Sequence, residues 1–322
     1  MIYSRIAGTG RYLPKRIMTN SELEKMVDTS DEWIRTRTGV ERRHIAAEDE
    51  TTSDLALAAA EAAIENAGID KDEIDLIVIG TTTPDLVFPN IATLVQYRLG
   101  IHGCPAFSIE AACTGFIYAL ATADKFVRTG ASKCALVIGA EIITKLVDWT
   151  DRSTCVLFGD GAGAVIIKPS EEPGIISCHL GADGQYRDLL YYPYGVSKDL
   201  CKAGTGDARL MMSGNEVFKV AVKTLGSVAE EALTANGIDK SQLDWLVPHQ
   251  ANMRIISATA KRLDMPLEKV ILTVQEHGNT SAASVPMALD VGIRDGRIKR
   301  GQLILMEAFG GGFTWGSILM RY

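Results

Sequence analysis

The chain has 322 residues, 47% of them hydrophobic, with 33 Lys and Arg against 40 Asp and Glu and a net charge of −7. This length and apolar content support a large core built as one large or two medium domains. The acidic balance argues against a general nucleic-acid or anionic-membrane binder, and the longest apolar runs, such as ALVIGA and LILMEAF, fall far short of the ~20 residues that span a bilayer. The opening MIYSRIAGTG alternates like a strand and lacks the apolar stretch of a signal peptide, so a cytoplasmic location is expected. In SDEWIRTRTG, Ser30 and Asp31 form a helix N-cap pattern that sets Trp33 and Arg37 on one face. A surface cation–π contact would account for that pair as well as a binding role does. The segments SDLALAAAEAAIENAG and ACTGFIYALATADKFVRTG are apolar on most faces, and both are expected to be buried central helices.

Cys113 closes the apolar run CPAFSIEAA and opens the second of these helices. A cysteine in a first helical turn feels the positive end of the dipole and unpaired N–H groups, which favour thiolate over thiol. Ala111, Ala112 and Gly115 leave room for a substrate. The competing reading is a small buried hydrophobe. The other cysteines, Cys104, Cys134, Cys155, Cys178 and Cys201, show neither C-x-x-C spacing nor a dense disulfide framework, so reduced thiols and no metal site are expected. FGDGAGAVII precedes an apolar strand, whereas a dinucleotide fingerprint follows a strand and opens a helix. A nicotinamide cofactor is therefore not expected, and these glycines are read as permitting tight turns and close backbone approach.

EAAIENAGIDKDEIDLIVIGTT, from Glu61, recurs as EEALTANGIDKSQLDWLVPHQA, from Glu230. Gly68 pairs with Gly237, and Ile69/Ile238, Asp70/Asp239, Lys71/Lys240, Ile74/Leu243 and Asp75/Asp244 stay in register. In each copy a helix ends at glycine and a short acidic turn leads into an apolar strand. A fainter echo relates ALVIGAE to LILMEAF and FGDGAGAVII to FGGGFTWGSILM. Two similar halves that alternate strands and helices predict layered α/β architecture.

LDWLV leads to His249 in VPHQAN, and VILTV leads to Asn279 in EHGNTSAASVP, so both side chains are expected at or just beyond strand ends, where open α/β sheets build their sites. A cysteine with a distant histidine and asparagine fits nucleophilic catalysis whose members meet only in the fold. Taken separately, a structural histidine and a helix cap are the favoured readings of the two. After His249, Arg254, Lys261 and Arg262 fall on one side of a helix, the pattern of a solvated face or of a docking patch.

AACTGF, VPHQAN, HGNTSAAS and AFGGGFTWGS occur in this order, and from RIAGTGRYLP to GSILMRY the chain resembles the β-ketoacyl-acyl-carrier-protein synthase III enzymes of the thiolase fold, which start fatty-acid synthesis. Residues 185–206, with YYPYGVSKDLCKAG, follow no pattern of that family. The resemblance implies a thiolase-like α/β fold in which two duplicated halves, residues 1–172 and 173–322, form a five-layered αβαβα core. Periodicity alone does not distinguish this from two Rossmann-like domains.

The resemblance further implies a decarboxylative Claisen condensation of a short acyl-CoA with malonyl-acyl carrier protein, giving 3-oxoacyl-acyl carrier protein, CO₂ and CoA. Acyl-CoA is then a substrate, no cofactor is needed, and the enzyme is a homodimer. Carried over to this chain, Cys113 holds the acyl group and backbone N–H groups of Cys113 and Gly311 form the oxyanion hole. His249 and Asn279 stabilise the enolate. Trp33, Arg37, Arg152, Gly214, Phe218, Ala251 and Asn252 contact CoA. Phe88, reaching in from the partner subunit, and Ile143, Phe158, Leu190, Leu210 and Met212 wall the acyl pocket, with sizes that suit acetyl or short chains. Arg254, Lys261, Arg262, Lys219 and Lys223 dock the carrier protein. Three other readings stand beside this one: a polyketide or quinolone starter synthase, a cysteine hydrolase, and a non-catalytic acyl-CoA scaffold. Loss of CO₂ from a malonyl thioester separates the condensing enzymes from the last two.

Overall fold

The computed structural model of the chain describes residues 2–199, 202 and 208–322. The first half runs β1 (Tyr3–Tyr12), β2 (Arg16–Thr19), α1 (Asn20–Leu23), α2 (Asp31–Thr38), β3 (Arg42–Ile45), α3 (Thr52–Ala67), β4 (Leu76–Gly80), α4 (Ile91–Leu99), β5 (Ala106–Ile109), α5 (Gly115–Arg128), β6 (Ala135–Glu141) and β7 (Gly161–Ser170). The second runs β8 (Ile175–Ala182), β9 (Leu190–Tyr191), β10 (Met211–Met212), α6 (Gly214–Ala235), β11 (Trp245–Pro248), α7 (Met253–Arg262), α8 (Val274–His277), α9 (Ser284–Arg294), β12 (Leu303–Gly310) and β13 (Thr314–Arg321).

Two mixed sheets result, ordered β1-β7-β6-β4-β5 and β11-β12-β13-β8. In each, a parallel pair (β4 with β6, β11 with β12) is followed by an antiparallel strand (β7, β13). α5 and α9 lie between the sheets, α3 and α4 cover the outside of the first, and α6 with α7 covers the second, which makes five layers. The central layer is held by apolar contacts of Phe116, Ile117 and Leu120 on α5 and Val285 and Leu289 on α9 with strands of both sheets. Among the described residues no helix is long and apolar enough to cross a membrane.

The repeated acidic turn takes the same form twice. α3 ends at Gly68 and α6 runs out to Gly237, both with left-handed φ of 63° and 61°. Asp70 and Asp239 then cap short 3₁₀ turns in capping boxes completed by Glu73 and Gln242. Asp75 accepts from the Cys134 N–H and Asp244 from the Leu303 N–H, so each copy ties its first parallel strand to the next.

Two expectations change. Of the two helices expected at the centre only α5 is there; α3 lies in an outer layer with Glu61 and Glu65 exposed, and the second central helix is α9. The alanines of α3 reflect close approach rather than depth. A Cβ on Gly8 would lie 2.4 Å from the Ala67 nitrogen, and one on Gly10 2.4 Å from the Ala59 oxygen, so strand and helix backbones touch where larger residues cannot fit. VILTV is not a strand: Val270 makes a single bridge to Leu246, and the sheet ends there. The buried Gln250 side chain takes over the pairing, donating to the carbonyls of Pro248 and Ile271 and accepting from the N–H groups of Thr273 and Val274. The glycines of FGDGAGAVII serve close packing, since a Cβ on Gly163 would sit 2.6 Å from the Met287 nitrogen of α9.

Glu307 of β12 is fully buried, and its carboxyl oxygens have no hydrogen-bond partner among the described residues. Burial pushes its carboxyl from 4.5 up to about 8. The folded-state value exceeds the unfolded one, so this group favours folding at low pH and the contribution is lost as pH rises from 4.5 through about 8. Thermal unfolding of Glu307→Gln should therefore gain on the wild type as pH is raised across that window; parallel pH profiles would contradict this.

Candidate active site

The strand ends of both sheets converge on one cavity of about 610 Å³ that reaches the surface at Glu110, Arg187 and Tyr191. Cys113, His249, Asn279, Ala251, Asn252 and the Gly311–Gly312 turn line it, as do Ile143, Phe158, Leu190, Leu210 and Met212. Cys113 sits in a 3₁₀ turn, Ala112–Thr114, that feeds directly into α5. Ala112 adopts φ +46°, an uncommon left-handed conformation for a residue with a side chain. Gly310 closes on this turn so tightly that a Cβ there would lie 2.6 Å from the Cys113 nitrogen.

His249 follows β11 and its N–H donates to the Glu307 carbonyl at 2.8 Å. Its Nδ1 lies 2.6 Å from Ser284 Oγ, which also receives the Gln250 N–H at 3.3 Å. Burial pushes the imidazole down to about 3, so it is neutral at physiological pH. The Asn279 backbone pairs with residues 157–159, donating to the Leu157 carbonyl and accepting from the Gly159 N–H. Its Oδ1 accepts the Ser281 N–H at 2.9 Å, which fixes the amide orientation and leaves Nδ2 as the donor.

Desolvation pushes the Cys113 thiol up to about 12, opposed by a hydrogen bond from Ser281 and reinforced by the charges of Glu141 and Glu110. The cysteine is almost fully out of water, and that burial, with the Glu141 and Glu110 charges, favours the thiol at rest.

Four residues with no assigned role in the sequence reading belong to this site: Gln250, Ser284, Ser281 and Glu141. The first three stand inside the quoted motifs, but a glutamine and two serines there read equally as turn and cap residues. Glu141 ends β6, where sequence offers no sign that Thr81, Thr82 and Thr83 will surround it. Tyr191, Tyr192, Tyr194 and Arg187, from the stretch that follows no family pattern, also line the cavity.

The remaining predicted residues lie outside the cavity walls. Trp33 and Arg152 stack on each other, the guanidinium carbon 5.0 Å from the ring centroid, and Arg37 is exposed nearby on α2. Trp33 thus finds its cation in Arg152 rather than in Arg37. Gly214 and Phe218 occupy the first turns of α6, with Arg254 of α7 packed 4.8 Å over the Phe218 ring. Lys223 and Lys261 are exposed, and Lys219 pairs with Glu216 at 2.8 Å. Arg262 lies over Gly226, pairs with Glu230 at 2.8 Å and donates to the Lys223 carbonyl, clamping α7 to α6. Phe88 is 83% exposed beside exposed Leu86 and Val87, and does not line its own chain's cavity. The five described cysteines are unpaired, and Cys201 lies outside the described residues.

Sequence profiles described as 3-oxoacyl-[acyl-carrier-protein (ACP)] synthase III and 3-oxoacyl-[acyl-carrier-protein (ACP)] synthase III C terminal match residues 107–184 and 233–322. The chain is 63% identical over 321 residues to a β-ketoacyl-[acyl-carrier-protein] synthase III of Xanthomonas campestris pv. campestris, covering 100% of this chain and 99% of the relative. The crystal structure of 3-oxoacyl-[acyl-carrier-protein] synthase III from Aquifex aeolicus superposes with a TM-score of 0.93 at 49% identity, covering 99% of this chain and 100% of that one. A priming β-ketosynthase from a polyketide biosynthetic pathway superposes with a TM-score of 0.94 at 38% identity, covering 99% and 96%.

Gly310→Ala tests whether the close approach of the β12 end sets the cysteine turn. Overpacking here should cost ~1–3 kcal/mol of stability and displace Cys113, changing its alkylation rate in protein that remains folded. Unchanged stability and unchanged thiol reactivity would contradict the assignment.

Proposed function

The chain belongs to the β-ketoacyl-[acyl-carrier-protein] synthase III family, and from that premise we propose that Cys113, His249 and Asn279 divide its reaction between covalent loading and decarboxylation. The protein is an acyltransferase that performs the initiating condensation of fatty-acid synthesis, with an acyl-CoA and malonyl-acyl carrier protein as its substrates. The observation that carries our division of labour is the meeting of these three side chains and the Gly311 turn around one largely apolar cavity.

In the first half-reaction Cys113 sulfur attacks the thioester carbonyl, CoA leaves and the acyl group stays on the cysteine. Backbone N–H groups of Cys113 and Gly311 receive the oxyanion; one such donor is worth about 3 kcal/mol in the transition state. In the second, malonyl thioester loses CO₂ and the remaining carbon nucleophile attacks the acyl-cysteine. The enolate oxygen requires donors that keep their protons. Asn279 Nδ2 meets that need, and His249 meets it as the neutral tautomer with hydrogen on Nε2. Ser284 favours that tautomer when its hydroxyl, receiving the Gln250 N–H, donates to Nδ1.

Acetyl-CoA is the proposed starter, because the medium and large walls at Ile143, Phe158, Leu190, Leu210 and Met212 limit chain length. Trp33 and Arg152 would part to admit adenine between them, with Arg37 beside it; Gly214, Phe218, Ala251 and Asn252 would follow the pantetheine arm. Arg254, Lys261, Lys219 and Lys223 present positive charge at the α6–α7 end for the acidic carrier. We assign the exposed Leu86–Phe88 patch to a homodimer contact that carries Phe88 into the partner's acyl pocket, with the enzyme working in the cytoplasm. Similarity to the polyketide priming enzyme favours, as a second reading, the same chemistry on another starter.

His249→Ala and Asn279→Ala should each slow CO₂ release from malonyl-acyl carrier protein by about 10²–10³-fold while acetyl loading of Cys113 stays within about three-fold. Equal losses in both steps would overturn the division of roles.

A further inference from the structure

Ser281 Oγ lies 3.4 Å from Cys113 Sγ and 3.1 Å from Glu141 Oε1, so one hydroxyl bridges the nucleophile and a fully buried carboxyl. Glu141 is held rigidly: it accepts from the hydroxyls of Thr81, Thr82 and Thr83 at 3.2, 3.0 and 2.6 Å and from the Thr82 N–H at 3.1 Å. Ser281 itself sits at φ +50°, a strained conformation for a non-glycine residue, directly against the reacting sulfur. Structural support of a loop would not require a carboxyl taken wholly out of water, nor a strained serine between it and a thiol. The two remain adjacent to a cysteine that is a thiol at rest and must lose its proton in order to attack.

We propose that Ser281 passes the Cys113 proton to Glu141 during acyl loading and returns it when the cysteine is released in condensation. As the S–C bond to the acyl carbon forms, the Cys113 proton moves to Ser281 Oγ and the Ser281 proton moves to Glu141 Oε1. The C–S bond to CoA breaks and CoA leaves as thiolate, taking a proton from solvent. When the decarboxylated malonyl carbon attacks, the acyl–Cys113 bond breaks and the sulfur takes its proton back along the same path. One solvent proton is consumed per cycle, as conversion of the malonyl carboxylate to CO₂ requires. Ser281 touches the reacting atom and is catalytic in this sense; Glu141 acts through it.

Among the described residues, the hydrogen-bond partners of Glu141 are hydroxyls and one amide, and Cys113 is the titratable group beyond Ser281. Cys113 in turn feels Glu110 and shares its cavity with His249, which burial keeps neutral. Burial pushes Glu141 from 4.5 up to about 7 despite its donors, so it is available as a proton acceptor near neutral pH.

The proposal rests on Cys113 being the acyl carrier, so its test measures two rates. These are single-turnover acetylation by acetyl-CoA and alkylation by iodoacetamide, between about pH 6 and 9, for wild type, Glu141→Gln and Ser281→Gly. Glycine at 281 keeps the left-handed backbone and removes only the hydroxymethyl group. The wild-type rates should rise as Glu141 ionises near pH 7 and then level off. Both variants should be slower at pH 7 by about ten-fold or more and rise steadily with pH, because the thiol must then lose its proton to hydroxide. A purely electrostatic role predicts the reverse for Glu141→Gln, since deleting a negative charge would speed both reactions. Rates that increase or stay unchanged in the variants overturn the relay. If Glu141→Gln does not fold, Ser281→Gly alone decides by the same criteria. A wild type that gives no adduct at Cys113 would instead overturn the acyl-carrier reading.

Discussion

A thiol buried at the wall of an apolar cavity is a poor nucleophile until something takes its proton, and the arrangement around Cys113 follows from that constraint. The cavity must be apolar to hold an acyl chain and to protect a thioester from hydrolysis. The same dryness pushes the Cys113 thiol up to about 12 and the His249 imidazole down to about 3. Desolvation therefore disables the cysteine and, in the same stroke, keeps the histidine neutral, the form able to donate to an enolate without becoming a general acid. Polar groups beside the reacting centre are tied to partners: Ser281 between sulfur and carboxyl, Ser284 beneath the imidazole, Gln250 satisfied on all four sides.

The internal duplication explains how these groups meet. Each sheet offers a parallel pair whose ends face the cavity. In the first, β4 leads into Thr81–Thr83 and β6 ends at Glu141; in the second, β11 leads into His249 and β12 ends at Gly310. The two halves face each other across α5 and α9, and the starts of these helices supply Cys113 and the Ser281–Ser284 segment. One architecture used twice thus brings the strand pair of Glu141 and the strand pair of His249 to the same point, beyond the ends of parallel strands, where open α/β sheets build their sites.

Much of this was legible in the sequence because it repeats or terminates something. Asp70 and Asp239 head identical turns, and Cys113 and His249 stand where an apolar extended run stops. Other features depend on neighbours that a linear pattern does not contain. The alanines of α3 looked like depth and turned out to accommodate Gly8 and Gly10 of β1. Arg262 shares a helix side with Arg254 and Lys261, but α6 packs against it there and Glu230 claims the charge. VILTV has strand composition, yet the Gln250 side chain takes its hydrogen bonds. Glu141 could not be found in advance at all, because a glutamate at a strand end is ordinarily solvated, and only the fold brings three threonines and a serine around it.

The central claim is that Cys113 carries the acyl group between two half-reactions. Intact-protein mass after incubation with acetyl-CoA, for wild type and Cys113→Ser, followed by a chase with malonyl-acyl carrier protein, tests it most directly. The account predicts a single acetyl adduct on the wild type, none on the variant, and discharge only by the malonyl carrier together with CO₂. An adduct that persists on Cys113→Ser, or no adduct from any acyl-CoA, would contradict it.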